Sequence, residues 1–335
     1  MPNLPRTMRA LIQPSNTSTT LHLTTRALPT PSPNTDEHLI RVHSVAPCAG
    51  ELLWPANFPP PKPRELIPCF DMSGTIITAP DTSPFRPGDE IYTRSNYLRN
   101  GSASDYTIGA TEEIALRPKG LSWVESTAIP LSAQTAWQAL FVQSQVGGIE
   151  SGAWKGKRVL VTAASGGVGM WVVQLAKVAG AIVIGTCGPD NVQLVKSLGA
   201  DEVVDYRKMG LKEWVGGGGG GGEGGKVDVV IDCIGRKSLE DAWWTVKDGG
   251  IVLSIFQPPK MVVPDGCEVK DVRDIFFVMG PNRAHLEAIT RLVEEGRCRG
   301  FVDSVWPLEQ FGEAFKRLDG GHARGKIIID LSLNQ

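Results

Sequence analysis

Residues 159–169, Val-Leu-Val-Thr-Ala-Ala-Ser-Gly-Gly-Val-Gly, constrain what this chain can fold into more than any other stretch. A short β-branched run enters a glycine-rich turn, and an apolar segment of helical period follows over 171–179. Strand, turn and helix in this order lay backbone N–H groups and a helix N-terminus against an anion such as a pyrophosphate. The turn reads Ala164-x-Gly166-x-x-Gly169, with alanine where the commoner fingerprint has its first glycine. Ala164, Ser165, Gly166, Gly167, Val168 and Gly169 are therefore candidate dinucleotide contacts. The alternative is a βαβ unit whose glycines serve only close helix–sheet contact.

The flanking pattern favours the first reading. Residues 182–186 form a second buried run, 191–198 a helical segment closing at Gly199, and 202–205 a short third strand. Alternation of this kind predicts an α/β doubly wound parallel sheet. The run 227–232 leads into Cys233, Ile234 and Gly235, and 251–255 leads into Phe256. Ligands of open parallel sheets sit at such carboxyl ends, which makes these four residues candidates as well. Phe277, Val278 and Lys326 are also counted among the candidate cofactor contacts.

With 335 residues the chain is long for one core, so two domains are expected. Residues 8–125 carry short β-like runs broken by proline and glycine, the pattern of an irregular barrel-like domain. Residues 55–68 hold six prolines and read as a surface loop near a pocket. Residues 216–225 hold nine glycines and predict a mobile loop, because glycine loses the most backbone freedom on ordering. A net charge of -2 gives no reason to expect nucleic acid or an anionic membrane as partner, and no run of 18 apolar residues occurs. None of the six cysteines lies at a C-x₂-C spacing, so no metal site is assigned and a reducing compartment is expected. The first 35 residues contain arginine but no acid, faintly like a transit peptide. A strand-like run at 8–12 and Pro5, Pro14, Pro29, Pro31 and Pro33 oppose a long amphipathic helix there, so a cytoplasmic protein is expected.

Pro87-Gly88-Asp89, the stretch 101–106, the stretch 130–137, the 164–169 turn, 196–201, 227–232 and Gly321-His322-Ala323-Arg324-Gly325-Lys326 form an ordered series. Through it the chain resembles the medium-chain dehydrogenase/reductase superfamily, in its zinc-independent quinone oxidoreductase and enoyl reductase branch. The resemblance implies a Rossmann dinucleotide domain, 128–300, inserted into a GroES-like β-barrel domain, 1–127 plus 301–335, with the active cleft between them. Zinc-containing relatives carry Gly-His-Glu where this chain reads Cys69-Phe70-Asp71, and Phe70 cannot ligate a metal. Without that Lewis acid, simple alcohol oxidation lacks a means of stabilising the alkoxide. The expected substrate is a quinone or other conjugated carbonyl compound.

Two departures from the branch stand out. Its Asn-Pro-x-Asp pattern appears as Ala46-Pro47-Cys48-Ala49-Gly50-Glu51, and no tyrosine proton donor occurs in 52–58. The candidate catalytic residues are Thr135, which the family places near the nicotinamide, Glu51 for a substrate hydroxyl or water, and Trp54 as cleft lining. The second strand ends without an acid, which permits NADP(H), while Asp190 follows slightly late. Gly188 and Asn191 stand where related NADP enzymes have serine and lysine; Tyr206 is a further candidate, and Lys196 or Arg207 is a source of positive charge. Quinone reduction is preferred because it needs no placed carbon acid. An enoyl-thioester reductase and a non-catalytic NADP-binding protein are the alternatives. Monomer and homodimer stay open, with an edge strand at 276–278 as the pairing element.

Overall fold

The computed structural model describes residues 4–218 and 225–333. Most of the glycine-rich stretch expected to be mobile, residues 219–224, lies outside the described residues. The strands in chain order are β1 (Thr7–Ile12), β2 (His22–Ala27), β3 (Glu37–Ala46), β4 (Asp71–Thr78), β5 (Glu90–Arg94), β6 (Tyr106–Ala110) and β7 (Ile114–Leu116). They continue as β8 (Arg158–Val161), β9 (Ile182–Cys187), β10 (Glu202–Asp205), β11 (Val227–Asp232), β12 (Val246–Ser254) and β13 (Arg273–Phe276). The last two are β14 (Val302–Pro307) and β15 (Lys326–Asp330). The chain forms two compact units, Met1–Gln134 with Gly280–Gln335, and Thr135–Met279.

In the first unit, β14-β15-β3-β4-β5-β7 form one mixed sheet, β6 pairs with β3, and β1 and β2 form a separate hairpin. Its core gathers Ile40, Val45, Met72, Ile76, Ile91 and Ile329, all essentially inaccessible to water. The C-terminal strand β15 pairs antiparallel with β3, Ile329 opposite Val45, so the chain's end is a central member of this sheet. Hydrophobic pattern alone left its partner open. The helix Arg283–Glu294 also belongs here, because Tyr92 Oη donates to Leu286 O at 3.2 Å and hydrogen-bonds Thr290 Oγ1 at 2.8 Å. The compact units accordingly divide at 134/135 and 279/280, against the expected 127/128 and 300/301.

The second unit is a six-stranded sheet in the order β10-β9-β8-β11-β12-β13, every neighbouring pair parallel. Its strands read as nearly unbroken apolar runs because both faces of such a sheet are covered. Leu160, Ile184, Val230 and Val252 are buried together with Trp214 and Trp243. Connectivity reverses between β8 and β11, and a crevice at the carboxyl ends of such a pair is where doubly wound sheets hold ligands. The edge strand β13 stops at Phe276, so the expected 276–278 strand loses its last two residues; Phe277 is buried and Val278 exposed.

Candidate functional site

In the second unit, β8 ends at Val161 and the helix Gly167–Val178 begins after Gly166. The chain between them doubles back so tightly that a Cβ on Gly169 would lie 2.2 Å from Ala163 O and 2.8 Å from its carbonyl carbon. A Cβ on Gly166 would lie 3.2 Å from the same oxygen. No side chain caps the helix start, which leaves its first-turn N–H groups for an anion. The glycines thus permit the close packing of the helix on its own turn, and the uncapped helix start is a donor set of the kind that suits a pyrophosphate.

Buried Asp232 joins the ends of three strands. Its Oδ1 accepts from Thr162 Oγ1 at 2.7 Å, and its Oδ2 accepts from Ser254 Oγ and from the Gly235 N–H, both at 2.8 Å. Thr162 Oγ1 in turn accepts from the Cys233 N–H at 2.9 Å. Burial pushes the Asp232 carboxyl above its ordinary value, with these hydrogen bonds opposing. The network sets Cys233, Ile234 and Gly235 beside Phe256, whose ring leaves no room for a side chain at Gly235, a Cβ there falling 2.1 Å from it. At the end of β9, a Cβ on Gly188 would lie 3.4 Å from Tyr206 Oη and 4.0 Å from Arg207 Nε. Asn191 Oδ1 is buried without a hydrogen-bond partner. Gly188, Tyr206 and Arg207 thus share one corner; Tyr206 and Arg207 are exposed there, as are Asp190 and Lys196.

The first unit holds a different constellation. Glu51 is 4% exposed; its Oε1 accepts from the Cys69 N–H and its Oε2 from the Cys48 N–H, both at 3.1 Å. Burial pushes its carboxyl up to about 7. Lys326, a candidate cofactor contact, has its ammonium engaged inside this unit by Asp71 Oδ2 and Pro47 O, both at 3.0 Å. Burial works against its charge, yet Asp71 holds it above the ordinary lysine value. Asp71 Oδ1 also accepts from the Leu131 N–H at 2.7 Å, fixing the start of the helix Pro130–Gln138 that carries nearly buried Thr135.

Trp54 lies in the short helix Trp54–Asn57, its ring centre 5.7 Å from those of both Phe70 and Tyr97, which are 5.5 Å apart. A cavity of about 10 Å³ beside them is bordered by Glu51, Phe70, Tyr97 and Arg64, room for one water. Sequence reasoning did not find Asp71, Arg64, Arg94 or Tyr97 as site residues; the proline-rich 55–68 loop was the one signal pointing there. His43, whose role was open, stacks on Trp123 with ring centres 4.1 Å apart. Among the described residues, no group of three or more His, Cys, Asp or Glu is placed to hold a metal.

Residues 198–329 match the family described as "Zinc-binding dehydrogenase". The chain is 49% identical to the "Probable zinc-binding oxidoreductase, mitochondrial" of Arthroderma benhamiae over 98% of each chain. It is 31% identical to the "Quinone-oxidoreductase QR1, chloroplastic" of Triphysaria versicolor, over 90% of this chain and 92% of that one. The fold superposes on the quinone oxidoreductase of Coxiella burnetii with a TM-score of 0.79 at 23% identity, covering 97% of this chain and 99% of the other. The expectation of a cytoplasmic protein is corrected by these relatives, which are named as mitochondrial and chloroplastic. That expectation rested on an N-terminal strand and the prolines around it, and such features of the folded chain carry no address. Near end-to-end similarity at these identities, on this two-unit fold, makes the chain a member of the medium-chain dehydrogenase/reductase superfamily.

Proposed function

We propose that the protein uses NADPH to reduce quinones or other conjugated carbonyl compounds without a zinc ion. The observation that carries this reading is the aromatic group Trp54, Phe70 and Tyr97 beside Glu51, with Phe70 where zinc-containing relatives have a ligand. Aromatic rings set at angles to one another suit the face and edges of a conjugated acceptor, which is already electrophilic and needs no Lewis acid. The name of the Triphysaria relative supports quinones, and the compartments in the relatives' names support an organelle.

When bound, the cofactor supplies a hydride from its nicotinamide ring. The Ala164–Gly169 turn would hold the pyrophosphate, with Cys233, Ile234, Gly235 and Phe256 flanking it. Gly188, Asn191, Tyr206 and Arg207 would take the adenosine end. Arg207 supports the 2′-phosphate of NADPH, because the end of β9 carries no acid of its own, although Asp205 of β10 pairs with Cys187 there. Replacing Arg207 with serine is expected to lower the NADPH-over-NADH preference in kcat/KM by about tenfold, on the order of one lost charge-assisted hydrogen bond. An unchanged ratio would count against NADPH selection at this corner.

Thr135 is kept as a proposed hydroxyl donor, Trp54 as an orienting ring and Glu51 as the proton holder. With its carboxyl at about 7, Glu51 is part protonated at neutral pH and reaches a one-water cavity. Enone reduction should therefore fall as pH rises through about 7. Glu51→Gln should remove that inflection and lower enone kcat by about 100-fold. Stability carries the same sign: the unfolded carboxyl loses its proton near 4.5 and the folded one near 7, so stability drops between those values. Urea unfolding at pH 5 and pH 8 reads that drop. The function itself is tested by following NADPH oxidation against naphthoquinone, an alkenal and a crotonyl thioester, with and without a chelator. Turnover that vanished with chelator and returned with zinc would overturn it.

A further inference from the structure

Asp232 is the last residue of β11 and is inaccessible to water, as are Thr162, just past β8, and Ser254, the last residue of β12. Each of its partners named above donates to it: Thr162 Oγ1, Ser254 Oγ and the Gly235 N–H. A hydroxyl has one proton, and both of these point it at the carboxylate. Lone pairs remain on each oxygen, and backbone N–H groups fill them. Cys233 N–H donates to Thr162 Oγ1 at 2.9 Å, and the N–H groups of Phe256 and Gln257 donate to Ser254 Oγ at 3.1 and 3.4 Å. One buried carboxylate thus sets the direction of two hydroxyls and, through them, the course of the loops that follow β11 and β12.

Those loops are also fastened to each other. Asp232 O accepts from the Ile255 N–H at 3.1 Å, and Gln257 Oε1 accepts from the Arg236 N–H at 3.2 Å. Gly235 takes a φ of 72°, which turns the first loop against the Phe256 ring. The result is an exposed apolar edge on a sheet that is otherwise covered: Ile234 and Phe256 are each 49% exposed, whereas Ile231 and Leu253 within the strands are wholly buried. A polar network satisfied throughout rigidifies what it touches, and what it touches here are the carboxyl ends of parallel strands, where such sheets hold ligands.

We propose that Asp232 is a positioning residue for the dinucleotide: through Thr162 and Ser254 it fixes Ile234 and Phe256 as the apolar edge against which the bound cofactor lies. This rests on the reading that NADPH binds at these strand ends. An amide at position 232 would present one acceptor and one donor in place of two acceptors. A donor bonded to Asp232 would then meet another donor; if it is a hydroxyl, it must turn round to accept, and its backbone N–H loses room on that oxygen.

The test is calorimetric titration with NADPH, well below the melting temperature, which reads the dissociation constant and the fraction of binding-competent molecules separately. Asp232→Asn is expected to raise the dissociation constant about tenfold or more, with the stoichiometry of wild type. Thr162→Val removes one hydroxyl and keeps the carboxylate, and should raise it by about tenfold; Thr162→Ser keeps the hydroxyl and should stay within about twofold of wild type. A merely structural role would lower the melting temperature and the stoichiometry at an unchanged dissociation constant, and that result overturns the proposal. So does a Thr162→Ser variant as weak as Thr162→Val. If Asp232→Asn fails to fold, the two Thr162 variants decide. Wild-type protein that binds no NADPH overturns the nucleotide reading itself. NADPH bound with the expected pattern of losses, but no turnover of any acceptor, upholds the positioning role and overturns the proposed reaction.

Discussion

Gly169→Ala is expected to raise the dissociation constant for NADPH at least 100-fold, a loss of about 2.7 kcal/mol, when the purified variant is titrated by fluorescence. The new methyl would sit 2.2 Å from Ala163 O, 2.8 Å from Ala163 C and 2.9 Å from Ala164 Cα. All three are backbone atoms, so no side chain can swing aside. Either the helix Gly167–Val178 moves off the turn or the turn opens, and each displaces the N–H groups that would hold the pyrophosphate. Gly166→Ala is the internal control. Its methyl would meet Ala163 O at 3.2 Å, which a few tenths of an ångström relieve, so a loss of about tenfold or less is expected. If Gly169→Ala binds NADPH within threefold of wild type while keeping its circular dichroism, the turn is not the phosphate cradle.

Lys326→Met is expected to lower unfolding stability by about 3–5 kcal/mol at pH 8, as urea denaturation would read. The substitution keeps the length of the stem but strands the Asp71 carboxylate, which is 1% exposed and 3.0 Å from the lost ammonium. It also removes the donor to Pro47 O. A lone buried carboxylate has a raised pKa and is rescued by a proton, so the deficit should shrink as pH falls and grow as it rises. Adding Asp71→Asn should recover part of the loss, since no lone carboxylate is then left buried. A deficit under about 1 kcal/mol at pH 8, on the scale of an exposed ion pair, would show that the pair contributes little.

The residues that were legible and those that were not differ in how far apart in the chain their partners lie. Ala164 to Gly169 announced themselves because a strand, a turn and a helix are neighbours in sequence, and the spacing of the glycines records the close approach of one to the next. Cys233 to Gly235 and Phe256 were named as candidates by the rule that ligands meet the carboxyl ends of parallel strands, and the structure sets them side by side there. The buried hub at Asp232 was missed, since Thr162, Asp232 and Ser254 are ordinary polar residues until three strands bring them together. Lys326 was noticed for the wrong surroundings: nothing near it in sequence names Asp71, 255 positions earlier, as its partner.

What the sequence determined by itself is the doubly wound sheet and its glycine turn, because period, strand length and glycine spacing are local properties that each segment carries alone. Sheet order was needed for the rest. β15, β3, β4 and β5 are neighbours in the first unit, and that adjacency sets Lys326, Pro47, Asp71 and Arg94 at one end of four strands. Which cation Asp71 takes follows from cross-strand register and burial. Those are properties of the assembled sheet that no segment of the chain possesses before the others have packed against it.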